Sequence, residues 1–508
     1  MKKIVYLPLD ERPCNAKFAG MALENNPDYQ FVSPSMDLLG DKKTPADFAG
    51  VKKFLETECK NAYALVIAMD MLLYGGIVPS RLHHCSEETL LNRLSVLSVL
   101  KNENPGLKIY AFSLIMRCPF YSSREEEPDY YEYCGEEIFL RGQAVHKYAD
   151  GLIDEAEYTK TVQALDAKIG SDVLADFLGR RKTNLALLCS TLSMVGKEIN
   201  KFVIPQDDSS PYGYTAIDQK TVKDYIAKNG LSEVDIYPGA DEVGMTLVSA
   251  VVNADKGKSP KICPIYPKEE CKKLIPLFED RVVERSIASQ IKNAGAVLCE
   301  KEEDADILLF CNLPVGEMHY AANQGGESYD KRDLEQFTLK MKEWIARGKR
   351  VAAADIAYCN GGDLEWLGLL EKEVGMFNLC GYAGWNTSSN TLGTVIYQAV
   401  LHYYYGNTET HFAFTAARVY EDVAYGGYVR KKMCFEILPT MNNVDEYHAD
   451  GKNGEVAKRV KEELENFMKA RCTSVYNRYR IDECYMPWDR MFEVGLTVKG
   501  GADKRIDV

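Results

Sequence analysis

Five apolar runs in the first half of the chain end in charged or amide residues: Asp10-Glu11-Arg12, Asp70, Arg117, Gln206-Asp207-Asp208 and Asp241-Glu242. Three of these endings contain adjacent carboxylates. Neighbouring acids held in different environments can divide the work of acid–base catalysis, one ionised and one kept protonated. The sharpest run is Tyr237-Pro238-Gly239-Ala240-Asp241-Glu242-Val243-Gly244, in which Asp241 is equally a cap for a helix starting near Val243. The second is Pro205-Gln206-Asp207-Asp208-Ser209-Ser210-Pro211, where Asp208 is alternatively a helix cap on an Asx-rich loop. Asp10 and Arg12 have the types to chelate hydroxyl groups or to tie a loop down. Asp70 follows the apolar stretch Ala64-Leu65-Val66-Ile67-Ala68-Met69, where a solitary acid serves binding or catalysis more readily than packing. Arg12, Arg81 and Arg117 can clamp a carboxylate, sulfate or phosphate, or pair with the nearby aspartates, and pairing is the better reading.

In the second half, Gly381-Tyr382-Ala383-Gly384-Trp385-Asn386-Thr387-Ser388-Ser389-Asn390 is dense in hydrogen-bonding groups and leads into a helical pattern. Trp385 offers a flat apolar platform for a pyranose ring, and Asn386 and Asn390 offer amides for its hydroxyls or an acetamido carbonyl. The alternative is an elaborate helix cap with a buried Trp. Asp355 and Asn360-Gly361-Gly362-Asp363 close the preceding strand and can line the same face. The acidic run Arg124-Glu125-Glu126-Glu127 reads as a solvated loop. The seven histidines show no HExxH or HxH spacing, so neither a His-built metal site nor a Ser–His–Asp triad is indicated. Asp10, Asp70 and Asp207 leave a carboxylate metal site open, but no metal or other cofactor is assigned.

Two resemblances bear on these acids. The Gly239-Ala240-Asp241-Glu242-Val243 segment resembles the Gly-Gly-Asp-Glu-Val run of family-twenty β-N-acetylhexosaminidases. That likeness implies that Glu242 protonates the glycosidic oxygen while Asp241 orients a substrate acetamido group that attacks the anomeric carbon. The Asp207-Asp208 pair is similar to the catalytic pair of the bacterial and mammalian O-GlcNAc hydrolases, which also assist a substrate amide. On a wider scale, the segments around 8–15, 70–81, 206–213, 240–244 and 381–393 resemble a bacterial domain-of-unknown-function family, family 4127, along nearly the whole chain. That resemblance implies homology and no activity.

These residues must be positioned by strands whose carboxyl ends face one way. Near-continuous apolar runs predict buried parallel strands over 4–9, 31–33, 64–69, 108–115, 201–204 and 234–237, with helices over 46–59 and 87–101 between them. A long amphipathic stretch over about 136–200 reads as a helical insertion. The alternation resumes at 261–266, 296–299, 305–311, 351–356 and 378–381, with helices around 269–279 and 334–347. The predicted class is α/β: a β/α barrel or barrel-like parallel core with that insertion, a second α/β region, and a helical C-terminal segment. The expected organisation is an N-terminal catalytic region over 1–260, a second α/β region over 261–395 contributing to the cleft, and a helical segment over 396–508. That segment includes a helix over 455–469 and a final edge strand over 491–498. Two successive α/β domains fit the same pattern, and no internal repeat is visible.

Composition bounds the partners. The 508-residue chain carries 61 basic against 75 acidic residues, a net charge of −14, which argues against nucleic acid or an anionic membrane as the main partner. No stretch is long and apolar enough to span a bilayer, and the apolar start stops at Asp10, too soon for a signal peptide. Fifteen scattered cysteines without a CxxC pair fit reduced thiols in the cytoplasm. The expectation is a glycoside hydrolase that removes a terminal sugar, an N-acetylhexosamine in its substrate-assisted version. Asp207, Asp208, Asp241 and Glu242 would be catalytic, and Asp10, Arg12, Asp70, Arg117, Trp385, Asn386 and Asn390 would bind the small-molecule carbohydrate. A homo-oligomer is left open. The alternatives are a carboxylate-metal hydrolase of an amide or phosphate ester, and a non-catalytic sugar or metabolite binder.

Overall fold

The computed structural model describes residues 1–500. It divides into two units: Met1–Glu11 with Asn26–Gly244 and Phe278–Asp280, and Arg12–Asn25 with Met245–Leu277 and the chain from Arg281 onward.

The first unit is built on six parallel strands, β1 (Lys2–Leu7), β2 (Tyr29–Val32), β3 (Ala64–Ala68), β4 (Lys108–Phe112), β5 (Ile199–Gln206) and β6 (Asp235–Pro238). Their order is β2-β1-β3-β4-β5-β6. The five residues of β3 are all buried, which is why that segment reads as unbroken Ala-Leu-Val-Ile-Ala rather than as an alternation. Between β4 and β5 the chain makes three helices, Tyr131–Ala149, Glu155–Ile169 and Ser171–Leu192. Asp154 caps the second of these by accepting from Glu157 N at 2.8 Å. Gly170, with φ at 84°, separates it from the third. Tyr131, Ile138, Leu165, Phe177 and Tyr214 form the apolar core of this insertion.

The second unit has five parallel strands, β7 (Lys261–Ile265), β8 (Val297–Leu298), β9 (Ile307–Asn312), β11 (Arg350–Asp355) and β13 (Gly381–Ala383), in the order β13-β11-β9-β7-β8. A short parallel pair joins β10 (His319–Tyr320) to β12 (Tyr358–Cys359). The last strands, β14 (Tyr479–Tyr485) and β15 (Gly495–Gly500), pair antiparallel with each other. The predicted final edge strand is therefore one arm of a separate ribbon and extends neither parallel sheet. Helix Leu334–Ala346 buries Phe337, Met341 and Trp344 in the core of this unit, as helix Glu455–Arg471 buries Val460, Leu464 and Met468.

Neither sheet closes on itself. Each has two edges, β2 and β6 in the first and β13 and β8 in the second, so the expected barrel gives way to two open α/β sheets. Counted from its own first strand, each sheet is laid down in the order 2-1-3-4-5, and the first adds a sixth strand. Winding reverses beside the first strand in both, and in such sheets ligands collect beyond the carboxyl ends. The sequence shows no repeat, yet the topology recurs.

Candidate functional site

In the first unit the strand exits deliver charged side chains to one cluster. Asp70 sits in the first turn of helix Met69–Tyr74, directly after β3, and its Oδ2 accepts from Leu114 N at 3.0 Å, just past β4. Burial pushes this carboxyl up to about 6, against hydrogen bonds from Leu114 and Ser113 that pull it down. Arg81 follows the Gly75-Gly76 turn, and Arg117 lies on the segment leaving β4. Arg117 donates from Nε to Glu127 Oε1 at 2.8 Å, from Nη2 to Glu126 Oε2 at 3.0 Å and from Nη1 to Asp208 Oδ2 at 2.8 Å. Arg81 donates from Nη2 to Asp207 Oδ2 at 2.8 Å and from Nη1 to Glu126 and Glu127 at 3.2 and 3.3 Å.

Two guanidinium groups thus serve four carboxylates. Both arginines are buried, whereas Asp207 and Asp208 keep 20% and 19% of their side chains exposed. Asp208 also has a left-handed backbone, φ 43°, which is costly for a residue other than glycine. Burial, then the neighbouring Asp207 charge, push the Asp208 carboxyl well above the ordinary aspartate range, with Arg117 and Arg81 opposing. The pairing of Arg81 and Arg117 with aspartates, rather than with an unfilled anion site, agrees with the better reading of the sequence.

The other predicted acids of this unit are placed differently. Asp10 is buried after β1, and the next residue, Glu11, accepts from Lys42 N at 2.6 Å. Asp241 is buried, and Glu242 has 0% exposure. Glu242 Oε2 accepts from Ala240 N at 3.0 Å, so the carboxylate folds back onto its own turn. Gly239, φ 137°, makes this possible, because a Cβ there would collide with the Glu242 carboxylate. Asp10, Asp70 and Asp207 do not make a metal centre: among the described residues no group of three or more His, Cys, Asp or Glu is arranged to hold an ion.

In the second unit Arg12, Trp385 and Asn386 line one cleft, together with Glu421, Asp422 and Arg430. Every lining residue belongs to this unit. Trp385 is fixed by its Nε1, which donates to Thr394 Oγ1 at 3.1 Å, and by an edge contact with Phe18 at 5.8 Å. Asn386 and Asn360 both adopt left-handed backbones, φ 49° and 67°, and Asn360 N donates to Asn386 O at 2.7 Å. Asn390 does not line the cleft. It is buried at the start of helix Ser388–Tyr405, where its N–H donates to the capping Thr387 hydroxyl.

Glu421 and Asp422 lie on an eleven-residue π-helix, Val419–Val429, a rare conformation that recurs at functional sites. Arg418, only 1% exposed, donates from Nη2 to Glu421 Oε2 at 2.5 Å and from Nη1 to Asp422 Oδ1 at 3.0 Å. Its guanidinium lies 3.5 Å from the centre of the Phe18 ring. Asp422 Oδ2 also accepts from Gly384 N at 2.8 Å, just beyond β13. Burial pushes both carboxyls above their ordinary range, against Arg418, which lowers them.

Asp355 and Asp363 are spent differently from their predicted place on the cleft. Asp355 Oδ2 accepts from Asp363 N at 2.7 Å and from the Tyr382 hydroxyl at 3.1 Å. Asp363 caps helix Leu364–Leu369 and pairs with Arg332 at 2.5 Å, both side chains being buried. Asn312, the last residue of β9, donates to both acids at 3.1 Å.

A family model described as a protein of unknown function (DUF4127) matches residues 4–497. The chain belongs to that family. No curated protein and no solved structure matches it. The short likenesses to hexosaminidases and O-GlcNAc hydrolases accordingly find no counterpart among curated proteins.

Within this DUF4127 chain, sequence reasoning missed Glu126 and Glu127 in the first unit and Arg418, Glu421, Asp422 and Arg430 in the second. A signal for the latter existed: Ala-Ala-Arg-Val-Tyr-Glu-Asp-Val-Ala-Tyr-Gly-Gly-Tyr places three charges in an otherwise apolar helical run at i, i+3 and i+4. Charges embedded in such a stretch must pair with one another. Among the described residues no helix is long and apolar enough to cross a membrane.

Proposed function

We propose that this protein is a glycoside hydrolase that removes a terminal sugar, an N-acetylhexosamine, using Asp208 and Asp207. The reading rests on one observation: two consecutive, partly exposed aspartates at a strand exit stand in unequal surroundings. Asp207 Oδ2 faces Arg81 at 2.8 Å and Arg117 at 3.5 Å. Asp208 is biased toward its protonated form by burial and by the Asp207 charge. An acid held protonated beside a second carboxylate is an arrangement that acid–base catalysis uses.

Asp208 Oδ2 is engaged by Arg117, so the proton to be given sits on Oδ1. It passes to the glycosidic oxygen as the bond to the anomeric carbon breaks. In the substrate-assisted version the acetamido oxygen attacks that carbon while Asp207 accepts the amide N–H. Water then adds to the anomeric carbon, Asp208 takes up a water proton, and the sugar leaves with the acid restored. Asp70, kept largely protonated below about pH 6, lies at the exit of β3, two strands away in the sheet, as a supporting group. Glu242, fully buried, has the weaker claim to the acid role. Fifteen free cysteines suit a reducing, cytoplasmic setting for this activity.

The test is a panel of chromogenic glycosides, with wild type against Asp208→Asn. Turnover of one sugar class, lost in the variant while the circular dichroism spectrum is kept, is the expected result. A panel silent with and without added divalent metals overturns the reading, as does equal turnover of the plain hexoside for the substrate-assisted version.

A further inference from the structure

We infer, building on the hydrolytic reading of Asp208, that Phe120, Tyr121 and Phe278 form a shelf for the leaving group, and that this group is a ring with a flat apolar face. The oxygen that takes the Asp208 proton departs with the leaving group. That group is therefore the part of the substrate that meets the surface beside Asp208.

Aromatic rings gather on that surface. Phe120, three positions after Arg117 on the segment leaving β4, is 54% exposed. Its ring packs against Phe278 at 6.5 Å, nearly parallel at 23°, against Tyr121 at 5.8 Å, and against Phe139 of helix Tyr131–Ala149 at 6.2 Å. Phe139 is itself packed on the core of the helical insertion, so the shelf has a firm base while the Phe120 face stays open to water. Tyr121 is 37% exposed, and its hydroxyl lies within electrostatic reach of both Arg117 and Asp208.

Phe278 reaches the shelf by a detour of the chain. Phe278–Asp280 belongs to the first unit, although the residues up to Leu277 and from Arg281 belong to the second. The Phe278 carbonyl accepts from Ser209 N at 3.2 Å and from Ser209 Oγ at 3.3 Å, and Ser209 directly follows Asp208. Asp280 Oδ2 accepts from Gln219 Nε2 at 3.1 Å, and the same amide donates to Gln206 Oε1, at the end of β5, at 3.2 Å. Phe278 also has a left-handed backbone, φ 66°, an outlier for a bulky residue. Such strain persists only where the surroundings hold it, and here the bonds to the acid loop do so. The ring is thereby fixed to the same loop as the proton donor.

The shelf names the class of its occupant. Exposed aromatic surface beside a charged cluster is matched by a ligand that sets a flat apolar face beside a polar one. The C–H face of a pyranose and the face of an aryl group both meet that demand, and a short alkyl group does not. Aromatic rings near four carboxylates and two arginines also suit a quaternary ammonium, which makes tetramethylammonium the counter-probe.

The test is isothermal titration of the full chain with S-glycosides of N-acetylglucosamine and N-acetylgalactosamine, in which sulfur replaces the glycosidic oxygen. Methyl, phenyl and S-linked glucosyl compounds are compared in wild type, Phe120→Ala and Phe120→Trp. A ring compound is expected to bind at least about tenfold more tightly than the methyl one, an advantage lost in Phe120→Ala and kept in Phe120→Trp. A gain by the phenyl compound alone marks an aryl leaving group, and a gain by the glucosyl compound marks a sugar. Equal affinities, a ring advantage indifferent to Phe120, no binding of any glycoside, or binding of tetramethylammonium alone overturns the inference. Turnover of glycosides without a ring advantage removes the shelf and leaves the hydrolytic reading standing. A ring advantage in a protein silent on glycosides sustains the shelf as a ring-binding surface and removes the hydrolytic reading with its leaving group.

Discussion

The two units wind their sheets in the same order and spend the acids at their strand exits in opposite ways. In the first, Arg81 and Arg117 come from the exits of β3 and β4 and hold Asp207 and Asp208, which still reach solvent, beside the buried Glu127. In the second, Arg418 and Arg332 are almost wholly buried with the acids they hold, Asp422 and Asp363. Exposure leaves Asp208 able to exchange a proton with a ligand. Full burial makes Asp422 and Asp363 fixed parts of the frame. One topological position therefore yields a reactive group or a structural one according to how much water the neighbouring loops exclude.

The largest expected effect tests the reactive side. Asp208→Asn lowers turnover by about 10²–10⁴-fold, the usual worth of a positioned proton donor, with thermal stability nearly unchanged. In wild type the rate falls as pH rises through the raised Asp208 value, because the donor is then lost. In Asp207→Asn the remaining rate falls at lower pH, since one neighbouring negative charge that raised Asp208 is gone. A pH–rate profile of both proteins checks the sign.

The buried side is tested by stability. Arg418→Met strands two buried carboxylates and costs about 3–5 kcal/mol in urea unfolding. Arg81→Met leaves Asp207 to water and Glu127 still paired with Arg117, and costs clearly less. Equal losses would erase the distinction between the units.

Asp70 gives a smaller effect with a definite direction. Its folded carboxyl lies at about 6 against an ordinary 3.8. Between those values the folded state keeps a proton that the unfolded chain has released. This contribution to stability is complete below about pH 4 and is lost as pH rises through 6, about 3 kcal/mol in all. Asp70→Asn keeps an acceptor for Leu114 N and should flatten that slope, as urea titrations at pH 4, 5, 6 and 7 would read.

Two glycines give the finest comparison. Gly361→Ala meets immovable backbone at Gly426, and Gly239→Ala meets the end of the Glu242 side chain. Both also suffer from a positive φ, so losses of about 3 kcal/mol and about 1–2 kcal/mol are expected, in that order. Thermal melts of the two variants decide it.

Much of this architecture was legible because buried parallel strands announce themselves. Ala64-Leu65-Val66-Ile67-Ala68 and Val351-Ala352-Ala353-Ala354 have no second face to solvate, and the three-helix insertion shows a clear amphipathic pattern. The strand exits named Asp70, Arg81, Arg117, Asp207 and Asp208 before any geometry. Glu127 was misread as solvated because its burial depends on Arg117 and Arg81, ten and forty-six positions away. The π-helix left no mark beyond Gly426-Gly427, since its hydrogen-bond pattern is not encoded in periodicity. The closure of a barrel was likewise never in the local pattern, as strand order is set by contacts between distant segments.

The grouping of Arg12–Asn25 with the second unit bears on how the chain is made. The Tyr397 hydroxyl donates to Ala19 O at 2.6 Å across 378 positions of sequence. At ordinary ribosomal speeds that partner emerges roughly 20–80 s after Ala19. Phe18, whose ring backs Arg418, must wait as long with its apolar surface uncovered. The second unit is thus obliged to finish folding late, around a segment synthesised long before the rest of it.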